Sequence, residues 1–462
     1  MSKEDLSGVR LHAQPGPGRG NGSVEFFYPV IIQSLLPHVS ANSGFMIDSA
    51  EVERPQHGRY PEARIVTLAD LIPSLRGMVQ SRLEPGIWPD GALVTATGEL
   101  SIGGVGVVAL ANRFGTPLDV VNIPALTTRW KAYRQALPNV EICCSVRHID
   151  VWLLDLLEHE HLSLSVSTYD ELRRVHRSGF PGARILLHNN GFWPDELRVA
   201  TNSGVKRVVL AHRPDRSPLP PWLDGLPTVR IGDEGMTTDL DETIHYAGPR
   251  PVGLHCQLTA SAIDVPAFER AVRLGVDVLA RLPTDRSADA RQLVIAGPHA
   301  VPHDPGEQEF DLSGFSQRVR TALSYECHRR RIPLPRLIIE PGHGLNARTG
   351  LSLRKIMSVR RGTSIVVELD DELASCRLFD GGQHTVRLAG RAPSAPLCPV
   401  TVVSGQRGRV VDVALPADVR PGDLIALPCT EFDHPPPKGA VLPALVAVTN
   451  ESTSLIRGTR TA

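Results

Sequence analysis

Lysine is scarce in this chain. Of 49 basic residues only five are lysines, at positions 3, 131, 206, 355 and 438, and arginine supplies the rest. An arginine side chain stays protonated at ordinary pH, so it does not form an imine with an aldehyde. Chemistry that needs an uncharged lysine amine therefore has few candidate positions.

Net charge and long apolar runs are also lacking. The 50 acidic residues almost balance the basic ones, giving a formal charge of -1, so nothing attracts the chain to nucleic acid or to an anionic membrane. Apolar stretches such as residues 101–111 are too short to span a bilayer, and residues 1–23 lack the apolar core of a signal peptide. We therefore expect a cytoplasmic protein that binds neither nucleic acid nor membranes.

The seven cysteines show neither a CxxC pair nor the spacing of a zinc ribbon. In a cytoplasmic protein, isolated cysteines of this kind are most often buried free thiols. The sequence therefore predicts no disulfide framework and no structural zinc site.

Strand-like and helix-like segments alternate over about 250 residues, which is typical of a parallel α/β fold. Strands are predicted at residues 140–146, 162–166, 184–188, 207–212 and 364–369, and three more end near residues 258, 296 and 340. A closed (β/α)8 TIM barrel is the favoured arrangement. After residue 378 the chain is rich in Val, Pro and Gly and has no long helical pattern, which indicates a C-terminal β-barrel or β-sandwich.

A series of short motifs resembles one enzyme family in order and in spacing. The motifs are Phe114-Gly115-Thr116-Pro117, residues 139–147, Asp170-Glu171-Leu172, Gly253-Leu254-His255-Cys256, Glu340-Pro341-Gly342 and Gly422-Asp423-Leu424. Together they resemble the fold-type III pyridoxal-phosphate (PLP) amino-acid decarboxylases, the diaminopimelate and ornithine decarboxylases with an alanine racemase-like barrel.

The resemblance implies a domain plan. Residues 1–89 are an extension of unknown role, residues 90–120 contribute strands to the β-domain, residues 121–375 form the barrel, and residues 376–462 form the rest of the β-domain. It also implies a homodimer in which the β-domain of one chain covers the barrel of the other, bringing Asp412 to that site.

At the positions where the family binds PLP, this sequence departs from the family pattern. Arg147 stands where the family has the lysine that carries the cofactor, and Gln257 stands where a histidine stacks on the cofactor ring. Pro298 interrupts the family's phosphate-binding glycines, and His343 replaces its phosphate-binding arginine. Glu340, which in the family faces the pyridine nitrogen, is retained. These departures predict that PLP is absent.

The C-terminal ends of barrel strands form the active-site face of such a fold. We expect Arg147, His148, His188, Gln257 and His343 to bind a ligand there, with Asp412 approaching from the second chain. Arginine pairs well with carboxylate or phosphate, so the predicted ligand is an anionic, amino-acid-like small molecule. The predicted acid–base pair is Glu340 with His299.

Three functions are consistent with these residues. The favoured hypothesis is a PLP-independent, repurposed homologue that binds such a ligand in a biosynthetic pathway, with a metal at the histidines as an open variant. One alternative is a non-catalytic pseudoenzyme or scaffold protein. The other is a PLP-dependent amino-acid decarboxylase, a carboxy-lyase, that holds PLP noncovalently.

Overall fold

The computed structural model describes most of the chain after residue 82. The described residues are 83–84, 86–145, 150–189, 194–210, 227–232, 253–258, 264–282, 291–302, 306–370, 385–404, 410–428, 441–458 and 460–461. The chain divides into two compact units, Met1–Ser81 and Arg82–Ala462, and every described residue belongs to the second unit. Most of the predicted extension at residues 1–89 thus lies outside the described residues.

The described part begins with a small antiparallel sheet. It contains β1 (Ala92–Val94), β2 (Leu100–Ile102) and β3 (Val105–Gly106). Helix α1 (Val107–Phe114) then leads into strand β4 (Leu118–Asn122), which pairs with strands from the C-terminal part of the chain. The β-domain is therefore built from both ends of the described chain.

Eight parallel strands close into a barrel, as the sequence predicted. In chain order these are β5 (Glu141–Ser145), β6 (Ser163–Val166), β7 (Ile185–Asn189), β8 (Val208–Leu210), β9 (Pro227–Gly232), β10 (Gly253–Gln257), β11 (Gln292–Ala296) and β12 (Arg336–Glu340). The ring closes where β12 pairs with β5. The longer helices are α2 (Ile123–Ala136), α3 (Val151–His159), α4 (Tyr169–Ser178), α5 (Pro194–Asn202), α6 (Val265–Arg281) and α7 (Leu312–Arg330).

Local sequence signals explain where several of these helices begin. Thr168 and Glu171 form a reciprocal capping box at the start of α4, which satisfies backbone N–H groups that have no partner within the helix. Asp264 and Asp311 each accept a backbone N–H in the first turn of α6 and α7. Such caps set the length of the connections between strands and helices.

One barrel strand differs from the prediction. The eighth strand is β9, at Pro227–Gly232, whereas residues 364–369 were predicted to supply it. Those residues instead form a strand of the β-domain. The reason is that β9 is a short segment bounded by proline and glycine, residues that by themselves indicate a turn.

The barrel interior is layered. Its middle layer is apolar and contains one fully buried side chain from each of five strands: Cys143, Leu186, Val209, Val294 and Ile338. Because side chains alternate along a strand, residues two positions away point into the same interior. Polar side chains lie above and below this layer, and the upper ones are at the C-terminal ends of the strands.

The lower layer is held by an ion-pair cluster around Glu141. Arg207 Nη1 lies 2.6 Å from Glu141 Oε1, and Arg336 Nη2 lies 2.8 Å from Glu141 Oε2. Ser163 donates its hydroxyl hydrogen to the same carboxylate. Paired charges of both signs thus close the N-terminal end of the barrel, and the C-terminal end remains for the functional site.

The β-domain is a mostly antiparallel sheet in the order β17-β16-β14-β13-β4-β20-β21, with β18 and β15 attached through β13. Its later strands are β13 (Gly350–Arg361), β14 (Ile365–Leu369), β15 (Arg387–Leu388), β16 (Leu397–Ser404), β17 (Val410–Pro416), β18 (Leu424–Pro428), β19 (Val441–Leu442), β20 (Ala444–Thr449), β21 (Ser452–Arg457) and β22 (Arg460–Thr461). The predicted second domain of β-structure is confirmed.

The border between barrel and β-domain lies earlier than predicted. The barrel was expected to reach residue 375, but β13 begins at Gly350 and pairs with β4, β14 and β18 of the β-domain. Lys355 lies in β13, whose first half is buried almost continuously. None of the helices in the described ranges is long and apolar enough to cross a membrane.

Candidate functional site

A buried carboxylate lies at the C-terminal end of the barrel. Glu340 ends strand β12, and only 5% of its side chain is exposed. His188 Nε2 lies 3.2 Å from Glu340 Oε1, and His255 Nε2 lies 2.8 Å from Glu340 Oε2. The hydroxyl of Ser145 donates to Glu340 Oε1 at 3.3 Å. Donors from three strands, β5, β7 and β10, therefore converge on one carboxylate carried by a fourth strand, β12.

Strand alternation explains this convergence. Ser145, His188 and Glu340 each follow a residue of the apolar middle layer by two positions, so their side chains also point into the barrel. His255 is in register with Val294 of that layer and faces the interior as well. The two imidazole rings meet edge to face, with ring centroids 5.1 Å apart.

The surroundings of Glu340 keep it ionised. Burial by itself opposes the charged form, since a carboxylate loses its hydration in the barrel. The positive charge of His188 and the hydrogen bonds from His188 and His255 outweigh this effect and hold the pKa of the Glu340 carboxyl well below its usual range. The Glu340 carboxyl is therefore ionised at neutral pH, in contact with two imidazoles.

The same three side chains have the composition of a metal site. The ligand atoms of His188, His255 and Glu340 all lie within 4.8 Å of one another. Two imidazoles and a carboxylate suit a divalent transition metal. A metal would displace both N–H···O contacts, however, because an imidazole nitrogen cannot donate a hydrogen and bind a metal at once.

His299, predicted as the acid–base partner of Glu340, has a different environment. Its side chain is fully buried and stacks on Phe310 with ring centroids 3.9 Å apart, while Phe268 and Phe315 contact it edge to face. Its Nδ1 lies 3.0 Å from the hydroxyl of Tyr133. The imidazole is therefore part of an aromatic cluster.

In this structure His299 contacts Tyr133 and the phenylalanine rings, and its described contacts do not include Glu340. Burial in the aromatic cluster, with further repulsion from Arg129 and His343, lowers the pKa of His299 well below its ordinary value. The ring therefore stays neutral at physiological pH and exchanges no proton with solvent from this position. The imidazoles that contact Glu340 are His188, which was predicted in the site, and His255, which was not among the predicted site residues.

The remaining described residues of the predicted site are dispersed. Gln257 ends strand β10 and is half-buried, and its amide donates to the carbonyl oxygen of Leu258 at 3.3 Å. His343 lies in a short 3-10 turn that follows Glu340 directly. Asp412 lies in β17, is exposed, and accepts a hydrogen bond from Thr401 at 2.7 Å.

Arg147 and His148 lie outside the described residues. Strand β5 ends at Ser145 and the description resumes at Asp150. Their predicted roles in anion binding therefore remain predictions.

The prediction missed two partners of Glu340, Ser145 and His255. A signal for His255 was present, because it precedes Gln257 by two residues and must share its face of the strand. Ser145 follows Cys143 by the same spacing. The missing information was which face of each strand points inward, and this depends on the whole ring of strands.

A cavity of about 570 Å³ lies in the β-domain. Its lining includes Lys355, Asp370 and Arg391. The guanidinium of Arg391 already pairs with Asp418 and Asp423. We place the functional site at the barrel mouth, because there the buried titratable groups converge on one another.

Relatives that are similar in sequence carry the name diaminopimelate decarboxylase. The chain is 36% identical over 411 residues to a diaminopimelate decarboxylase of Actinosynnema pretiosum subsp. auranticum, covering 80% of this chain and 91% of the relative. It is 25% identical over 405 residues to the diaminopimelate decarboxylase of Mycobacterium bovis, covering 75% and 89%. No protein-family model matches the chain.

Solved structures show the same fold. A diaminopimelate decarboxylase of M. jannaschii in complex with L-lysine superposes with a TM-score of 0.69 at 16% identity, covering 81% of this chain and 96% of that one. A lysine/ornithine decarboxylase of Vibrio vulnificus in complex with cadaverine gives 0.60 at 18% identity, covering 74% and 97%. At such identities the likeness concerns the fold alone.

These relatives overturn two expectations. A PLP-independent function and the absence of PLP were predicted from the altered motifs, yet a relative that is 36% identical over most of the chain is a diaminopimelate decarboxylase, a member of the PLP-dependent family. Both predictions are wrong. The alternative of a PLP-dependent amino-acid decarboxylase is the hypothesis that the relatives favour.

The ionised state of Glu340 leads to a pH-dependent prediction. A carboxyl whose folded-state pKa is depressed contributes stability above its unfolded-state pKa, and loses that contribution as the pH falls through the folded-state value. We expect Glu340→Gln to lower the free energy of unfolding by about 1–3 kcal/mol at pH 7, since buried donors lose their anionic acceptor. The difference should shrink below about pH 4, the range below the unfolded-state pKa of a glutamate.

Urea denaturation of both proteins between pH 7 and pH 3 measures this difference. Glu158→Gln, on the exposed side of α3, is the matched control and should show little change at any pH. A Glu340→Gln difference that is independent of pH would contradict an ionised Glu340.

Proposed function

Since this chain belongs to the diaminopimelate decarboxylase family, we propose that it is a PLP-dependent amino-acid decarboxylase that holds its cofactor without a lysine imine. The observation that carries the proposal is the buried, ionised carboxylate of Glu340 at the C-terminal end of β12. In the family this glutamate faces the pyridine nitrogen of the cofactor.

Glu340 fits a protonated pyridine nitrogen. A carboxylate offers about four lone-pair sites on its two oxygens. Oε1 accepts from His188 and Ser145, whereas Oε2 accepts from His255 and keeps one site open. An anionic acceptor with an open lone pair is the partner that a pyridinium N–H requires.

The turn after β11 does not offer the family's phosphate contacts. The backbone N–H of Gly297 donates to the carbonyl of Glu340, and that of His299 donates to the carbonyl of Pro341. Pro298 has no N–H at all. The cofactor phosphate must therefore be held by other residues, and Arg147 and His343 are the cationic candidates that the sequence suggested.

No described lysine lies at the barrel mouth. Lys131 is on helix α2, 3.8 Å from Glu160, Lys206 precedes strand β8 at the opposite end of the barrel, and Lys355 is in the β-domain. By the sequence match, Arg147 takes the position of the family's lysine. These two points support a noncovalently held cofactor.

The bound cofactor supplies an electron sink for the charge left on the α-carbon when carbon dioxide departs. The protein's own contribution begins at Glu340, whose negative charge keeps a proton on the ring nitrogen and so makes the ring a better sink. Burial of Glu340 among His188, His255 and Ser145 excludes water from this contact and strengthens it. Arg147 is the proposed partner of the substrate carboxylate or of the cofactor phosphate.

Carbon dioxide release tests the proposal. We expect the protein supplied with PLP to release carbon dioxide from diaminopimelate, the substrate named for its relatives. Glu340→Gln should lower kcat on the order of 100-fold, as removal of one preorganised electrostatic partner does in other enzymes. The rate of release of labelled carbon dioxide is the measurement.

The control for this experiment is Glu158→Gln, which should keep the parent's rate. L-lysine and L-ornithine, offered in turn, establish which amino acid is the substrate. Tight PLP binding without carbon dioxide release from any of the three would contradict the decarboxylase proposal and favour a non-catalytic protein.

A single substitution tests the role of Arg147. We expect Arg147→Lys to restore a cofactor-binding lysine, so borohydride should fix PLP covalently at residue 147 of the variant, because lysine can lose its proton and react as an amine. The parent should retain no covalent PLP after the same treatment. Peptide mass spectrometry locates the modified residue, and a pyridoxyl group on any lysine of the parent would contradict noncovalent binding.

We also propose a homodimer in which the β-domain of one protomer lies over the barrel mouth of the other. Asp412 is exposed on strand β17, so it is available to such a contact. Analytical ultracentrifugation should give the mass of two chains, and Asp412→Ala should lower kcat without changing that mass. A monomer at all protein concentrations would contradict the arrangement.

A further inference from the structure

The two oxygens of Glu340 have different surroundings. Oε1 is shared by His188 at 3.2 Å and Ser145 at 3.3 Å, while Oε2 has the shorter contact, 2.8 Å to His255 Nε2. Oε2 thus keeps one lone pair that no described donor fills. Its existing donor is His255, the central residue of β10, and the side chain of His255 is fully buried.

The geometry also defines the proton on His255. For Nε2 to donate to a carboxylate oxygen, it must carry a hydrogen. The backbone of His255 is held by strand pairing on both sides, with β9 and with β11, and its side chain is fully buried, so its ring has little freedom to turn away. The donor is therefore preorganised toward Oε2.

We propose that His255 is a positioning residue that keeps the proton on the cofactor's ring nitrogen, by donating its Nε2–H to the same Glu340 oxygen that faces that nitrogen. This inference rests on the proposed function and extends it to a residue that does not itself contact the cofactor. It assigns different tasks to the two oxygens, since Oε1 is oriented by His188 and Ser145.

The physical reason is the cost of a buried negative charge. A carboxylate in the barrel interior stays charged only while donors replace its lost hydration. If the donor to Oε2 is lost, Glu340 more readily takes up the proton that it shares with the ring nitrogen, and the carboxyl becomes neutral. The ring nitrogen then loses its anionic partner and is left unprotonated.

Two amide variants of His255 isolate this effect. The amide nitrogen of His255→Gln reaches about as far as Nε2, so it can still donate to Oε2, whereas that of His255→Asn is one methylene shorter and cannot. Both variants keep a polar side chain of similar chemistry at a buried position. His176→Gln, on the exposed side of α4, is the control for any general effect of replacing a histidine.

The measurement uses 4′-deoxypyridoxine 5′-phosphate, an analogue that lacks the aldehyde and so reports on ring protonation without any reaction. Absorbance of the bound analogue as a function of pH gives the pKa of its ring nitrogen. We expect His255→Asn to lower that pKa by about 1 pH unit, a tenfold change in the protonated fraction. His255→Gln and His176→Gln should stay within about 0.3 unit of the parent.

The outcomes separate this inference from the proposed function. If the parent does not bind the analogue, both fail. If the parent binds it and His255→Asn binds it with an unchanged ring pKa, the role of His255 is overturned while the proposed function stands. A second measurement needs no variant: nitrogen NMR of the analogue-bound parent should show His255 as the Nε2–H tautomer, and an Nδ1–H tautomer would overturn the inference.

Discussion

A negative charge buried inside the barrel is the constraint on which the site depends. Glu340 cannot remain ionised at its depth without donors, and the structure supplies them from β5, β7 and β10. The closed ring of parallel strands is what brings residues 145, 188, 255 and 340 together, although 195 positions separate the first from the last. The contacts that keep Glu340 ionised therefore depend on the closed barrel.

The rest of the barrel supports this arrangement. The apolar layer around Ile338 lies directly below Glu340 and excludes water from that side. At the opposite end, the ion pairs of Glu141 with Arg207 and Arg336 close the barrel with charges that are matched to each other. The acceptor that is left for a positively charged partner is thus at the C-terminal end of the barrel, where Glu340 Oε2 has an open lone pair.

The family's glutamate is retained here while the sequence around it has changed. The phosphate turn after β11 uses its N–H groups within the protein, and His299 of that turn belongs to an aromatic cluster with Phe310. When the motifs were considered one at a time, they therefore predicted too large a loss of PLP chemistry. The carboxylate and its imidazole donors form a unit that no single motif displays.

The alternation of strands and helices, the ends of seven barrel strands and the position of Glu340 could be predicted from the sequence, because hydrophobic periodicity and short motifs are local properties of a chain. Strand β9 was not predicted, since its short span is bounded by turn-forming residues. The contact of His255 with Glu340, and the packing of His299 among phenylalanine rings, became visible in the folded structure alone. Which side chains meet inside a barrel depends on the register of all eight strands at once, and no local pattern contains that information.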